Sequence, residues 1–369
     1  MQRISFISLF ILLLAQLGWA QQVTVQIENT TPFNRGTETV EIAWNQLSKF
    51  SPNKIIATDY KGFEIPSQVI YNEQKQPTSF IFQVSLAANE KASYKIKSGQ
   101  PKKYETKAQS RFVPERLDDY TWENERIAFR TYGPRQKTEG TAVSGIDVWA
   151  KRTRNMIIES WYDHMDYHKD HGEGLDFYKV GPTLGSGGAA PLVNGKLVRP
   201  GNFAKHNRIN NGPIRTEFIL SYTAWDVNGQ AVSMERKISL DAGTNLSRYS
   251  LTWNFKGNPI DIAVGIAKRK ELGETLLDET NGVISYAEPV HGNDGQIFDA
   301  VIFDQPQRLT LVDAHLAGVV KVKANQTISY WAGAGWNKSG DFSNFNQWNS
   351  YIKQVKYNLS HPLKVTLAP

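Results

Sequence analysis

The chain of 369 residues carries 42 Lys and Arg against 36 Asp and Glu and has no cysteine, so it must be held together by burial rather than by disulfides. The same absence excludes thiolate metal sites, cysteine nucleophiles and lipid attachment to a cysteine. A net charge of +6 without any dense Lys/Arg block argues against nucleic acid as a partner, but it suits an anionic ligand such as an acidic or sulfated sugar.

Residues 1–20 read as an export signal. Arg3 supplies a positive start, Ile4 to Leu14 is an apolar run broken only by serines, and Gly18-Trp19-Ala20 offers small residues for cleavage. The run is too short to span a bilayer and no later stretch approaches that length, so no membrane insertion is expected. The mature protein is expected in the periplasm or outside the cell.

Residues 21–97 read as short strands. Val23-Thr24-Val25-Gln26-Ile27, Thr39-Val40-Glu41-Ile42-Ala43 and Phe80-Ile81-Phe82-Gln83-Val84 alternate between apolar and polar, and Pro, Gly, Asn and Asp break the runs. A small β-sandwich is expected over 21–108, ending in a polar linker from Ser98 to Ser110. Residues 109–369 form the larger unit, also mainly β. Ile214, Thr216, Phe218, Leu220 and Tyr222 share one strand face, as do Tyr249, Leu251, Trp253 and Phe255, which predicts large antiparallel sheets packed face to face. One helix is expected near the end. Its stripe is Phe345, Trp348, Ile352, Val355 and Leu359, with Ser343 as N-cap and Pro362 as the stop.

Between Glu159 and Asn211 the periodicity lapses, and a long irregular segment in a β-protein usually serves function. Its densest part, Trp161 to Tyr178, interleaves His164, His168 and His171 with Asp and Tyr residues. Histidine moves protons near neutral pH, and adjacent carboxylates fix its tautomer, so the segment reads as an acid–base site. The rival reading is a divalent metal held by His164, His168 and His171 with Glu173; no other cofactor is expected. A polar surface loop is the bland alternative. Phe112 to Pro134 looks too polar and too aromatic for an ordinary strand, and Trp122, Asn124 and Arg130 within it have the chemistry of sugar recognition. Gly181 to Gly188 lacks the lysine of a phosphate loop, so it is expected to let backbone pass close to a ligand or a domain interface. Near the C-terminus, Trp336 is expected at a cleft rim and Trp331 in the core.

Phe112 to Pro134, Tyr167 to Gly188, Asn211-Gly212-Pro213-Ile214-Arg215 and Tyr330 to Trp348 together resemble a family of secreted bacterial proteins long catalogued as a domain of unknown function. That family includes the ulvan oligosaccharide dehydratase type, and the resemblance covers roughly residues 25–365. It implies an all-β fold: a small N-terminal β-sandwich followed by a galactose-mutarotase-like antiparallel β-supersandwich with one helix near the C-terminus. It also implies loss of water from a non-reducing-end uronic acid of an acidic oligosaccharide, leaving a 4,5-unsaturated uronyl group. Such chemistry would use Arg130 or Arg215 against the carboxylate and His168 or Tyr178 as base. His164, His171 or Tyr167 would be the acid. Other readings are a polysaccharide lyase, an epimerase, a hydrolase with Glu173 and Asp176 as its carboxylate pair, or a glycan-binding protein.

Overall fold

The computed structural model describes residues 21–135, 144–164, 166–305 and 307–368; the expected export signal lies outside them. Among the described residues the strands form five sheets. Two of them make the N-terminal sandwich. Gln22–Glu28, Ile55–Thr58, Glu64–Ile65 and Lys91–Ser98 form one sheet, and Arg35–Ala43, Ser67–Tyr71 and Pro77–Leu86 the other. The alternation read in the sequence sends Val23, Val25, Ile27, Val40, Ile42, Phe80 and Phe82 into the space between them.

The first sheet has one further member. The last strand of the chain, Lys364–Ala368, pairs antiparallel with the first, Thr24 opposite Ala368 and Glu28 opposite Lys364. The unit expected over 109–369 therefore gives its final strand to the N-terminal sandwich. A five-residue strand whose apolar residues are Val365, Leu367 and Ala368 carries too weak a pattern to announce its partner.

The second unit sets an eight-stranded sheet against two five-stranded sheets. Arg215–Val227, Gln230–Asp241 and Leu246–Asn254 are consecutive neighbours in the large sheet, and Phe218, Leu220, Met234, Ile238, Leu251 and Trp253 face inward. Ala108–Val113, Asp119–Asn124, Ala128–Thr131 and Ile146–Lys151 are neighbours in one of the smaller sheets. The polar stretch from Phe112 to Pro134 is thus strand after all. Asp119, Glu123 and Arg130 within it enter the core because they meet opposite charges there, and a paired charge can be buried where a lone one cannot.

Two α-helices are present among the described residues: α1, Ile158–His164, and α2, Phe345–Ser360. α2 buries Phe345, Trp348 and Ile352 against the large sheet, where the Gly335 backbone would meet Trp348 if it carried a Cβ. Its N-cap is Asn344, which accepts from the Gln347 amide. Ser343 instead donates to the Gln347 side chain, and the helix stops two residues before Pro362. The irregular stretch expected from Glu159 to Asn211 is shorter than it looked, since Ser186–Val193 and Lys205–Asn210 are strands. The first of these hid its period because small residues line it. Gly187, at φ +90°, lies so close to a neighbouring strand that a Cβ would stand 2.2 Å from the Ala332 Cβ.

Candidate functional site

Sheet register assembles the first part of the site. Arg130 stands opposite Thr121 on one side and Asp147 on the other. Its Nε donates to Asp147 Oδ2 at 2.8 Å and its Nη2 to Asp176 Oδ2 at 2.9 Å, while Asp119 Oδ2 is 4.0 Å away. The rings of Tyr132, Trp149 and Tyr167 surround the guanidinium at 5.0, 5.3 and 5.9 Å. All three carboxyl groups are buried around one cation. Burial raises all three carboxyl pKa values, Asp119 to about 6 and Asp176 well above the carboxylate range, where Asp147 adds repulsion. The Arg130 guanidinium opposes that rise in all three.

The helix beside this cluster is fixed from below. Glu123 accepts from the amides of Ile157 and Ile158 at the start of α1 and pairs with Lys151 at 2.9 Å, both side chains being fully buried. α1 in turn places Trp161 and Tyr162 against Trp149.

His168 sits at the exposed edge of the cluster, with 59% of its side chain accessible. Its Nδ1 is 3.0 Å from the Asp176 carbonyl oxygen and 3.8 Å from the Asp176 carboxylate. A carbonyl only accepts, so Nδ1 donates in this contact, and in the neutral ring the lone pair is on Nε2. Beside it, Tyr167 stacks on Trp149, and its hydroxyl accepts from Arg116 Nε at 3.0 Å. Arg116 is exposed, and its two terminal nitrogens make no hydrogen bond among the described residues.

Tyr178, two residues beyond Asp176, opens a second buried group. Its ring lies 4.7 Å from the Arg269 guanidinium, which pairs with Glu288 at 2.6 Å. Asp299 is fully buried beside them. Burial, then the neighbouring acids, pushes the Tyr178 hydroxyl and the Asp299 carboxyl well up; burial also raises Glu288, against the pull of Arg269. Phe177, between Asp176 and Tyr178, faces His291 and Trp336 instead.

The structure separates several residues that the sequence grouped. Trp122 is core, stacked near Phe129 and Phe218, with Nε1 donating to Ser247. Asn124 is spent on backbone, donating to the carbonyls of Asp241 and Thr244. Arg215 pairs with Asp241 and Glu41 and lines a groove that His168, Asp176 and Tyr178 do not touch. Trp336 is buried, its Nε1 donating to the Asp294 carbonyl, whereas Trp331 is the half-exposed ring. Tyr178 is too buried to reach a substrate in this conformation. Glu173 accepts from Asn155 and Trp161, and Asp176 is taken by Arg130, so the two form no open carboxylate pair. His171 is exposed, with Nε2 3.2 Å from the Asp166 carbonyl, and His164 ends α1. Among the described residues no group of three or more His, Asp and Glu is arranged to hold a metal ion. Asp119, Asp147, Arg269, Glu288 and Asp299 were missed; Asp147 and Asp299 alone gave a signal, an acid set between apolar neighbours in Ile146–Lys151 and Ile297–Phe303.

Residues 27–365 match the family described as a domain of unknown function, DUF4861. The chain belongs to that family. A relative in Formosa agariphila, uncharacterized protein P7, is 32% identical over an alignment of 374 positions that covers 93% of this chain and 93% of its own. Two solved structures from Enterococcus faecalis share the fold. One is described as a protein of glycosyl hydrolase family 38 (TM-score 0.50, 11% identity) and the other as an alpha-mannosidase (TM-score 0.51, 8% identity). Each is matched over 94% of this DUF4861 chain, which spans about half of their length, 47% and 46%. At such identity the likeness is one of fold.

Proposed function

We propose that the protein acts on an acidic oligosaccharide by acid–base chemistry, removing water from a terminal uronic acid. The observation that carries this reading is the exposed His168, whose Nδ1 is held by the Asp176 carbonyl so that Nε2 faces outward as a base. In the proposed reaction Nε2 takes the C5 proton, the C5–H electrons form the C4=C5 bond, and the C4–O bond breaks. Tyr167 protonates the departing hydroxyl, because its oxygen already accepts from Arg116 and its own hydrogen is free to be donated. The free terminal nitrogens of Arg116 suit the substrate carboxylate, whose neutralisation acidifies C5. Arg130, committed to Asp147 and Asp176, positions the cluster instead. The carbohydrate-related neighbours in fold are consistent with a glycan partner. Activity outside the cytosol is part of the same proposal.

The test is a panel of uronic-acid oligosaccharides followed by ultraviolet absorbance and chain length. A dehydratase creates the absorbance of an unsaturated uronyl group without shortening the chain. A lyase creates it with cleavage, a hydrolase cleaves without it, and a binder does neither. His168→Ala should lower turnover by about 10²–10⁴-fold while leaving binding of the same oligosaccharide nearly intact. Unchanged turnover in that variant removes His168 from the reaction, and loss of wild-type activity on chelation with recovery on adding metal would favour the metal reading.

A further inference from the structure

A groove of about 880 Å³ runs between the N-terminal sandwich, the outer face of the eight-stranded sheet and α2. Its volume is that of a small-molecule site rather than a packing defect. Each acid on its walls already has a cation within ion-pair distance, from Glu38 with Arg35 to Asp341 with Arg154. One wall cation has none. Arg248 points outward from Leu246–Asn254, is exposed, and makes no ion pair within 4.0 Å among the described residues, although Glu41 and Asp304 are near enough to feel its charge. Across the sheet its direct partners are Trp331 on one side and Ser239 on the other, and its guanidinium lies 5.5 Å from the Trp331 ring. Next along the strand, the hydroxyls of Ser250 and Ser329 meet at 3.0 Å. An aromatic ring that holds a guanidinium in place lowers the entropy lost when the fork engages an anion.

We infer that this groove is a second binding site, separate from the His168 cluster, for a short acidic saccharide, with Arg248 taking a carboxylate or sulfate ester. The saccharide class rests on the proposed function, whereas the preference for an anion rests on Arg248 beside Trp331, since the rest of the lining is slightly acidic. Calorimetric titration of the full chain tests it, with trigalacturonate, a sulfated uronate disaccharide and neutral maltotriose as probes. In a His168→Ala background, which prevents turnover, an acidic probe should bind at two sites per chain and maltotriose at neither. Arg248→Ala should remove one of them or weaken it about tenfold, equivalent to ~1.4 kcal/mol. Arg248→Lys, which keeps the charge and loses the fork, should recover only part of that affinity and serves as the folded control. The inference is overturned if Arg248→Ala leaves stoichiometry and affinity unchanged, if maltotriose binds equally well, or if neither acidic probe binds. Arg248-dependent binding without any turnover by the wild-type chain would leave the groove standing and defeat the acid–base reading alone.

Discussion

Replacing Glu123 by Gln should expose how the site is held together. Glu123 and Lys151 are fully buried and 2.9 Å apart, and the same carboxylate accepts from Gln109 and from the amides of Ile157 and Ile158. Glutamine keeps one acceptor oxygen but presents an amide donor where donors already converge, and it leaves the Lys151 ammonium buried with only the Asn124 carbonyl. Breaking a buried pair from one side typically costs about 3–5 kcal/mol. At about 2 °C per kcal/mol, the low end appropriate to a long chain, the melting temperature should fall by roughly 6–10 °C. Calorimetry and near-ultraviolet circular dichroism can follow the loss, the latter because α1 carries Trp161 onto Trp149. Adding Lys151→Met should restore much of the stability, since removing both charges eliminates the uncompensated one. A loss below about 1 kcal/mol, or a double variant worse than the single one, would refute the claim that a desolvated pair anchors α1.

Three further outcomes are expected. Asp119 is raised from 3.8 to about 6, so the folded state holds a proton that the unfolded chain gives up. Its contribution is present below the unfolded value and is lost as pH rises through about 6, and Asp119→Asn should flatten that decline in urea-unfolding stability by an amount on the order of 2–3 kcal/mol. Equal slopes in both proteins would contradict it. Gly187→Ala must displace a neighbouring strand, because its Cβ would meet that of Ala332 at 2.2 Å and its φ is +90°; yield and melting temperature should both fall. Arg130→Lys should destabilise the fold more than it weakens binding of an oligosaccharide, because a single ammonium cannot span Asp147 and Asp176 as the fork does. Proteolysis resistance set beside calorimetric affinity separates the two effects.

The architecture was legible wherever burial imposed a period on the chain. Val23 to Ile27, Phe218 to Tyr222 and the Phe345, Trp348, Ile352 stripe each show the spacing of the element they form. Parity would also have settled the two tryptophans. Tyr330, Ala332, Ala334 and Trp336 lie on the inward face of one strand, which leaves Trp331 on the other. The site was legible only where its residues cluster in sequence, as Tyr167, His168 and Asp176 do. Asp147 and Asp299 each stand between apolar neighbours; strand pairing brings Asp147 beside Arg130, and tertiary packing brings Asp299 near Tyr178. Arg130 was found by composition, but which carboxyl groups would claim it depended on a register that local sequence does not encode.

The pairing of Lys364–Ala368 with Gln22–Glu28 has a consequence for the order of assembly. Most of the N-terminal sandwich leaves the ribosome well before Lys364–Ala368, and one edge of its first sheet stays open until that strand has been made. Such an edge invites pairing with foreign strands for the whole interval. Closing it joins strands far apart in sequence, but the entropy of closure grows only slowly with loop length and falls sharply once the intervening sheets have folded and brought the two strands together. Completion of the first domain is thereby timed by the folding of the second, and a chain cut before Lys364 would leave an open edge in the domain made ahead of it.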